Sequence, residues 1–290
     1  MSAVVQAFGG DEGPARRLAE ALGLELGLID LHEFPDGETL PTVPGAAPTV
    51  IVYRSLDRPN AKLVPLLQAC DAWRRGGAAR LVLVAPYLCY LRQDAVFAPG
   101  QPLSRDVILP LLGARFDRVV TVDPHLHRTD DLSAVMGVAV TALTAGEVLA
   151  AALGDGDDAV VIGPDSESEP WTRVVAAALG APSLTLSKRR TGDREVAVSL
   201  PDPEMVRGRR AILVDDICSS GATLELAARH LRAAGAAAVD VAVTHALFDA
   251  AAEARLRVAG VRRILSTDSC PHPTNAAPLA RLLASALREP

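Results

Sequence analysis

Asp215 and Asp216 follow the apolar run Ile212-Leu213-Val214 and lead directly into Ile217-Cys218-Ser219-Ser220-Gly221-Ala222-Thr223-Leu224. Such a run suits a central parallel strand covered on both faces, and the small residues after it let backbone N–H groups approach an anion where the next helix starts. A carboxylate beside a bound phosphate is repelled unless the ligand also brings donors. A phosphorylated pentose brings both, a diol for the two aspartates and a 5′-phosphate for the loop. Read without a ligand, the same residues are a strand ending in two solvated acids, with Ser220 as an ordinary N-cap.

Other polar clusters stand in the same kind of place. Pro86-Tyr87-Leu88-Cys89-Tyr90-Leu91-Arg92-Gln93-Asp94 puts a cation, an amide and a carboxylate after an apolar run. Arg92 can neutralise phosphate charge while Gln93 and Asp94 read a base or its ribose, and a loop salt bridge fits equally well. Phe34-Pro35-Asp36-Gly37-Glu38 reads as a turn with exposed acids. Val122-Asp123-Pro124-His125-Leu126-His127 holds two close histidines, able to ligate a metal, donate to a phosphate or pack, and too few for a zinc site. In Ile162-Gly163-Pro164-Asp165-Ser166-Glu167-Ser168-Glu169, Asp165 suffices for a magnesium ion that keeps most of its waters; the segment also reads as an acidic helix start capped by Ser168. The cations of Ser187-Lys188-Arg189-Arg190-Thr191-Gly192-Asp193-Arg194 repel one another in a hairpin tip that an anionic ligand would order.

Positioning these clusters requires strands alternating with helices, an α/β pattern. Strands are expected at 49–53, 80–85, 118–122, 159–162, 183–186, 195–200, 210–214, 240–243 and 262–266. Helices are expected at 61–75, 104–113, 170–179, 222–234, 249–258 and 276–287. The 290 residues exceed one typical core and divide into domains 1–145 and 146–290, with Gly154–Asp158 as a surface connection near the boundary. Aliphatic side chains carry the burial, since hydrophobic residues make up 49% and aromatics 3%. A net charge of −6 and pI near 5.5 argue against nucleic acid or anionic membrane as partner, so an anionic ligand is small and held by local cations. No secretory leader and no membrane span is read, and the scattered Cys70, Cys89, Cys218 and Cys270 fit reduced thiols; a cytoplasmic protein is expected.

The segment 212–224 closely resembles the ribose 5-phosphate and phosphoribosyl pyrophosphate motif of type I phosphoribosyltransferases and ribose-phosphate pyrophosphokinases. Phe34–Glu38, Pro86-Tyr87 with Arg92-Gln93-Asp94 and Phe97–Ser104, Asp123-x-His125, Pro164-Asp165 and Lys188-x-Arg190 resemble the pyrophosphokinases in the same order, nearest the shorter class III-like forms. The resemblance implies two tandem type I phosphoribosyltransferase-like domains with mainly parallel sheets. It implies a transferase that passes the β,γ-pyrophosphoryl group of MgATP to the 1-hydroxyl of ribose 5-phosphate, releasing phosphoribosyl pyrophosphate and AMP. ATP is then expected at Asp36, Glu38, Arg92, Gln93 and Asp94, and ribose 5-phosphate at Asp215, Asp216, Cys218, Ser219, Ser220, Gly221, Ala222 and Thr223. Mg²⁺ is expected at His125 and Asp165, and Lys188, Arg190 and His125 are expected to be catalytic, with Lys188 and Arg190 on a flexible loop. Because the acidic turn of this family typically serves a neighbouring subunit, the resemblance implies a homo-oligomer, a dimer or higher. After Glu38 the chain departs, with Thr39-Leu40-Pro41 where the family carries an aromatic or hydrophobic residue and a basic one. Asn60-Ala61 replaces the Asn-Asp of class I, whose phosphate activation is therefore not carried over. A phosphoribosyltransferase and a non-catalytic regulatory relative are the alternatives.

Overall fold

The computed structural model describes residues 3–45, 47–126, 131–190 and 196–289, with only the main chain described at 188–190 and 196–199. It divides into two compact units: residues 1–143 with 269–271 and 279–290, and residues 144–268 with 272–278.

The first unit is built on β1 (Ala3–Phe8), β2 (Leu26–Glu33), β3 (Thr39–Thr42), β4 (Thr49–Tyr53), β5 (Arg80–Val84), β6 (Arg118–Val122) and β7 (Ala139–Leu143), in the order β3-β2-β1-β4-β5-β6-β7. Only the β2–β3 hairpin is antiparallel; the other pairs are parallel. The helices are α1 (Glu12–Leu22), α2 (Asn60–Arg75), α3 (Ser104–Gly113) and α4 (Leu132–Met136). Central strands β4 and β5 are almost wholly apolar, as burial on both faces demands. Trp73 of α2 is fully buried and its Nε1 donates to Gln6 Oε1 at 2.7 Å, while Gln6 Nε2 donates to Gly45 O at 2.7 Å. Both polar groups brought into this core are thereby satisfied.

In the second unit, β8 (Ala159–Gly163), β9 (Ser183–Thr185), β12 (Arg210–Cys218), β13 (Ala238–Ala246), β14 (Val261–Thr267) and β15 (Asn275–Ala277) form an all-parallel sheet in the order β15-β14-β13-β12-β8-β9. β10 (Ser187–Arg190) and β11 (Val196–Ser199) pair separately as an antiparallel hairpin. The helices are α5 (Gly146–Leu153), α6 (Glu169–Leu179), α7 (Ala222–Ala233) and α8 (Ala250–Val258). The last helix, α9 (Ala280–Arg288), belongs to the first unit, where Arg118 donates to Ala286 O at 3.0 Å and Glu289 O at 2.9 Å. A guanidinium on the final carbonyls satisfies groups that a helix C-terminus leaves orphaned.

The structure corrects several expected boundaries. β12 runs to Cys218 instead of ending at Val214, because its last residues go on pairing with β13, Ile217 with His245 and Cys218 with Ala246. Lys188, Arg189 and Arg190 lie in β10 and not at a hairpin tip. The helix expected from 276 starts at Ala280, with β15 before it. Elements β1, α1, β2, β3, α4, β7, α5, β10 and β15 were not anticipated.

Candidate active site

In an open parallel sheet the ligand crevice lies beyond the carboxyl ends of two strands whose connections leave in opposite directions. In the second unit that point falls between β8 and β12: the chain leaves β8 toward β9 on one side and returns to β12 on the other. Asp165 stands two residues past the end of β8, Asp215 lies near the end of β12, and the 219–223 loop follows β12. β8 pairs with β12 only as far as Ile162 and Leu213, so the rest of β12 stands past the end of its neighbour.

The alternation of a strand sorts the residues of this end. Asp216 and Cys218 are buried, 3% and 1% exposed, whereas Asp215 and Ile217 are half-buried. The Asp215 carboxylate accepts from Asp216 N at 3.1 Å and that of Asp216 from Ile217 N at 2.8 Å. Burial, then the charges of Asp216 and Asp165, push the Asp215 carboxyl well above the usual carboxylate range. A carboxyl whose ionisation two neighbouring carboxylates oppose fits a cation or hydroxyl donors, and hard oxygens are the donor set magnesium takes. Among the described residues no three His, Cys, Asp or Glu side chains form a metal cage, so an ion here needs oxygens from its ligand and water.

Gly221 is the N-cap of α7 with φ 74°, a conformation that glycine adopts freely. Gly221 has no side chain to cap the first turn, and Ala222 N donates to Ser220 Oγ only at 3.4 Å, so the helix start retains N–H donors for an anion. Cys218 requires a correction. Its thiol packs in the core, pushed up to about 12 by burial and by the Asp215 charge, and its carbonyl accepts from Leu247 N at 2.8 Å. The side chain therefore does not face a ligand. Asp165 also caps a single 3₁₀ turn at Ser166–Ser168: its carboxylate accepts from Glu167 N at 3.2 Å, and Ser168 Oγ bonds back to Asp165. Ser168, expected to cap α6, occupies the N-cap position without a side-chain cap bond. A Cβ on Gly163 would meet Ser168 Oγ at 2.6 Å and Thr172 Oγ1 at 2.9 Å, which explains glycine at this strand end. Lys188 and Arg190 lie on β10, opposite Val198 and Val196; their side chains are outside the described residues.

In the first unit, Leu88, Cys89 and Leu91 anchor the loop after β5 in the core, and Arg92 and Gln93 emerge exposed. Gln93 is held from several sides: its Oε1 accepts from Ser104 Oγ at 2.6 Å, its N donates to Tyr90 O at 3.1 Å, and its O accepts from Arg105 N at 3.3 Å. Asp94 is half-buried on the same loop. Asp36 and Glu38 are exposed at the β2–β3 turn, where Asp36 Oδ1 accepts from Glu38 N at 3.1 Å. The local turn reading of these residues thus holds. β1 and β4 stand between β2 and β5, so at sheet level the acidic turn and the Arg92 loop are three strand spacings apart, about 14 Å. His125 is half-buried after β6, beside the buried Asp123; His127 lies outside the described residues. The loops after β4, β5 and β6 each hold a non-glycine residue at positive φ, Arg58 (48°), Tyr90 (63°) and Asp123 (38°). Such strain persists only where surrounding contacts fix it; Tyr90 is fixed by its hydroxyl, which donates to Asn60.

Sequence reasoning missed the switch point of the first unit, between β1 and β4. There Asp11 and Arg54 form a buried ion pair at 3.0 Å, with the guanidinium 4.3 Å from the centroid of the Phe8 ring. The detectable signal was a cation directly after the apolar run 49–53.

Together these features define a protein of two α/β units, with a carboxylate-flanked loop of small residues at the switch point of the second. Comparison with known proteins narrows this. Residues 134–281 match the family described as phosphoribosyl transferase domain, and residues 7–115 match the N-terminal domain of ribose phosphate pyrophosphokinase. The chain is 37% identical to a ribose-phosphate pyrophosphokinase of Methanopyrus kandleri over 94% of each chain, and 35% identical to that of Thermococcus kodakarensis over 85% of this chain and 87% of the relative. The crystal structure of phosphoribosylpyrophosphate synthetase from Mycobacterium smegmatis is similar at a TM-score of 0.83 and 27% identity, covering 99% of this chain and 98% of that one. The chain belongs to the ribose-phosphate pyrophosphokinase family.

Proposed function

We propose that this chain transfers the β,γ-pyrophosphoryl group of MgATP to the 1-hydroxyl of ribose 5-phosphate, giving phosphoribosyl pyrophosphate and AMP. The observation that carries this reading is the pairing of carboxylates with an uncapped helix start at the β8/β12 crevice, in a chain that matches the family across both halves. The N–H groups of 219–223 hold the 5-phosphate. Asp215 accepts from the ribose hydroxyls, and Asp216, buried behind it, supports that end of the strand. Arg92, Gln93 and Asp94 take ATP, with Gln93 oriented by Ser104. Asp36 and Glu38 stand about 14 Å away at sheet level, a separation that favours their serving the ATP of a neighbouring copy in a homo-oligomer.

Mg²⁺ would supply charge neutralisation for the phosphates of ATP; His125 in the first unit and Asp165 in the second are each candidates to hold it. The half-buried Asp215 orients the attacking sugar through its hydroxyls. Lys188 and Arg190 stabilise the charge that grows on the transferred group. Positioning and electrostatics suffice without a dedicated general base. Among the described residues no helix is long and apolar enough to cross a membrane, and Cys70, Cys89, Cys218 and Cys270 are free and buried. A reducing, cytoplasmic setting accords with those thiols.

The test is to follow AMP and phosphoribosyl pyrophosphate together from MgATP and ribose 5-phosphate, with Lys188→Ala alongside. Equal amounts of both products, reduced by orders of magnitude in the variant, are expected. A folded, ATP-binding protein that makes no AMP refutes the assignment.

A further inference from the structure

The anion loop of the second unit is fastened from outside by a residue that neither the motif nor the proposed chemistry includes. Arg255 of α8 donates from Nη2 to Ser220 O at 2.8 Å, and its Nε lies 3.4 Å from Glu225 Oε2 on α7. In a planar trans peptide the C=O and the following N–H point in opposite directions. Holding Ser220 O against α8 therefore aims Gly221 N–H the other way, off that helix.

This matters because the following residue is glycine at φ 74°. A peptide that precedes such a glycine can rotate by about half a turn at little cost, the change that interconverts the common four-residue turns. The rotated form would direct Ser220 O at the anion and withdraw Gly221 N–H. Glycine supplies the shape of the loop but not its choice between the two orientations. α8 supplies the choice. A Cβ built on Gly221 would lie 3.7 Å from both Ala252 and Leu256, so the loop also leans on this helix.

We propose that Arg255 is a positioning residue for ribose 5-phosphate, locking the Ser220–Gly221 peptide in its anion-accepting orientation. The inference rests on the assignment of loop 219–223 to the sugar phosphate. The planar guanidinium can serve Ser220 O and Glu225 at once, which a lysine ammonium on its flexible stem reproduces only in part. The surface pair with Glu225 is by itself worth little, so the bond to Ser220 O carries the effect.

The experiment measures KM for ribose 5-phosphate and for ATP in the full-length enzyme and in Arg255→Ala, Arg255→Lys and Glu225→Gln. Arg255 is half exposed, so its truncation leaves the core intact. For Arg255→Ala the KM for ribose 5-phosphate should rise about tenfold, the loss of one charge-assisted hydrogen bond, with the KM for ATP unchanged. Arg255→Lys should be intermediate, Glu225→Gln close to wild type, and millimolar guanidinium should restore part of the Ala variant's affinity. An unchanged KM for the sugar phosphate, or equal changes for both substrates without guanidinium rescue, overturns the proposal. Wild-type enzyme that does not use ribose 5-phosphate overturns the underlying assignment instead, before any variant is compared.

Discussion

Arg54→Met should destabilise the first unit severely, and the reason can be worked from the geometry. Arg54 and Asp11 are 5% and 2% exposed, their charged atoms are 3.0 Å apart, and the guanidinium lies 4.3 Å from the centre of the Phe8 ring. Arg54 Nε is buried without a hydrogen-bond partner, so the pair already carries an unsatisfied donor. Removing the cation leaves a buried carboxylate uncompensated, which costs about 3–5 kcal/mol, or roughly 6–20 °C in melting temperature for a unit of this size. Burial already raises the Asp11 carboxyl above its ordinary 3.8, against the lowering effects of Arg54 and Lys62. Without Arg54 it rises further, and protonation then relieves the charge. The penalty should therefore be full at neutral pH and shrink as pH falls through the raised pKa toward 3.8. The double variant Asp11→Leu/Arg54→Met removes both charges and should lie close to wild type. Thermal melts of the four proteins at several pH values give the coupling directly. A single-variant cost below about 1 kcal/mol, or single costs that simply add in the double variant, would refute the reasoning.

Three further outcomes are expected. Asp215→Asn should raise the KM for ribose 5-phosphate by roughly 30-fold, through weakened charge-assisted bonds to hydroxyls, with little change for ATP in steady-state assays. Ser104→Ala frees the Gln93 amide from its 2.6 Å bond and should raise the KM for ATP about fivefold while leaving that for the sugar phosphate alone. Asp240 is fully buried; burial would raise its carboxyl, but hydrogen bonds from Arg262 and Arg210 and their charges overcome this and hold it below 3.8. Its ion pairs thus add stability that is complete above the ordinary carboxylate value and lost as pH falls through the lower folded pKa. Asp240→Asn should lower stability by about 3 kcal/mol at neutral pH, a gap that acid denaturation should show closing below pH 3.8.

The α/β class was legible because strands such as 49–53, 80–84 and 159–163 are almost wholly apolar, a pattern that burial on both faces imposes. The carboxylate loop was legible because polar and small residues break such a run abruptly. The end of β12 was misjudged for the same reason: two aspartates suggest a strand's end, yet pairing with β13 carries the strand through them. Cys218 was assigned to the ligand by its place in the motif, whereas strand alternation turns its thiol into the core with Asp216. The return of α9 to the first unit was not legible, since an amphipathic helix declares that it packs but not against what. Nor was the part played by Arg255 or Ser104, because each acts by a single contact with a main-chain or amide oxygen distant in sequence. His272 clips two loops together: Nε2 lies 3.0 Å from Phe248 O and Nδ1 2.7 Å from Thr274 Oγ1.

The most direct test follows the fate of the β-phosphorus. With ATP carrying label at that position, magnesium and ribose 5-phosphate, the account predicts label in phosphoribosyl pyrophosphate, unlabelled AMP, and equal amounts of the two products. Label retained in ADP would mean that a single phosphoryl group had moved, and label released as free phosphate or pyrophosphate would mean hydrolysis; either result contradicts pyrophosphoryl transfer to the sugar.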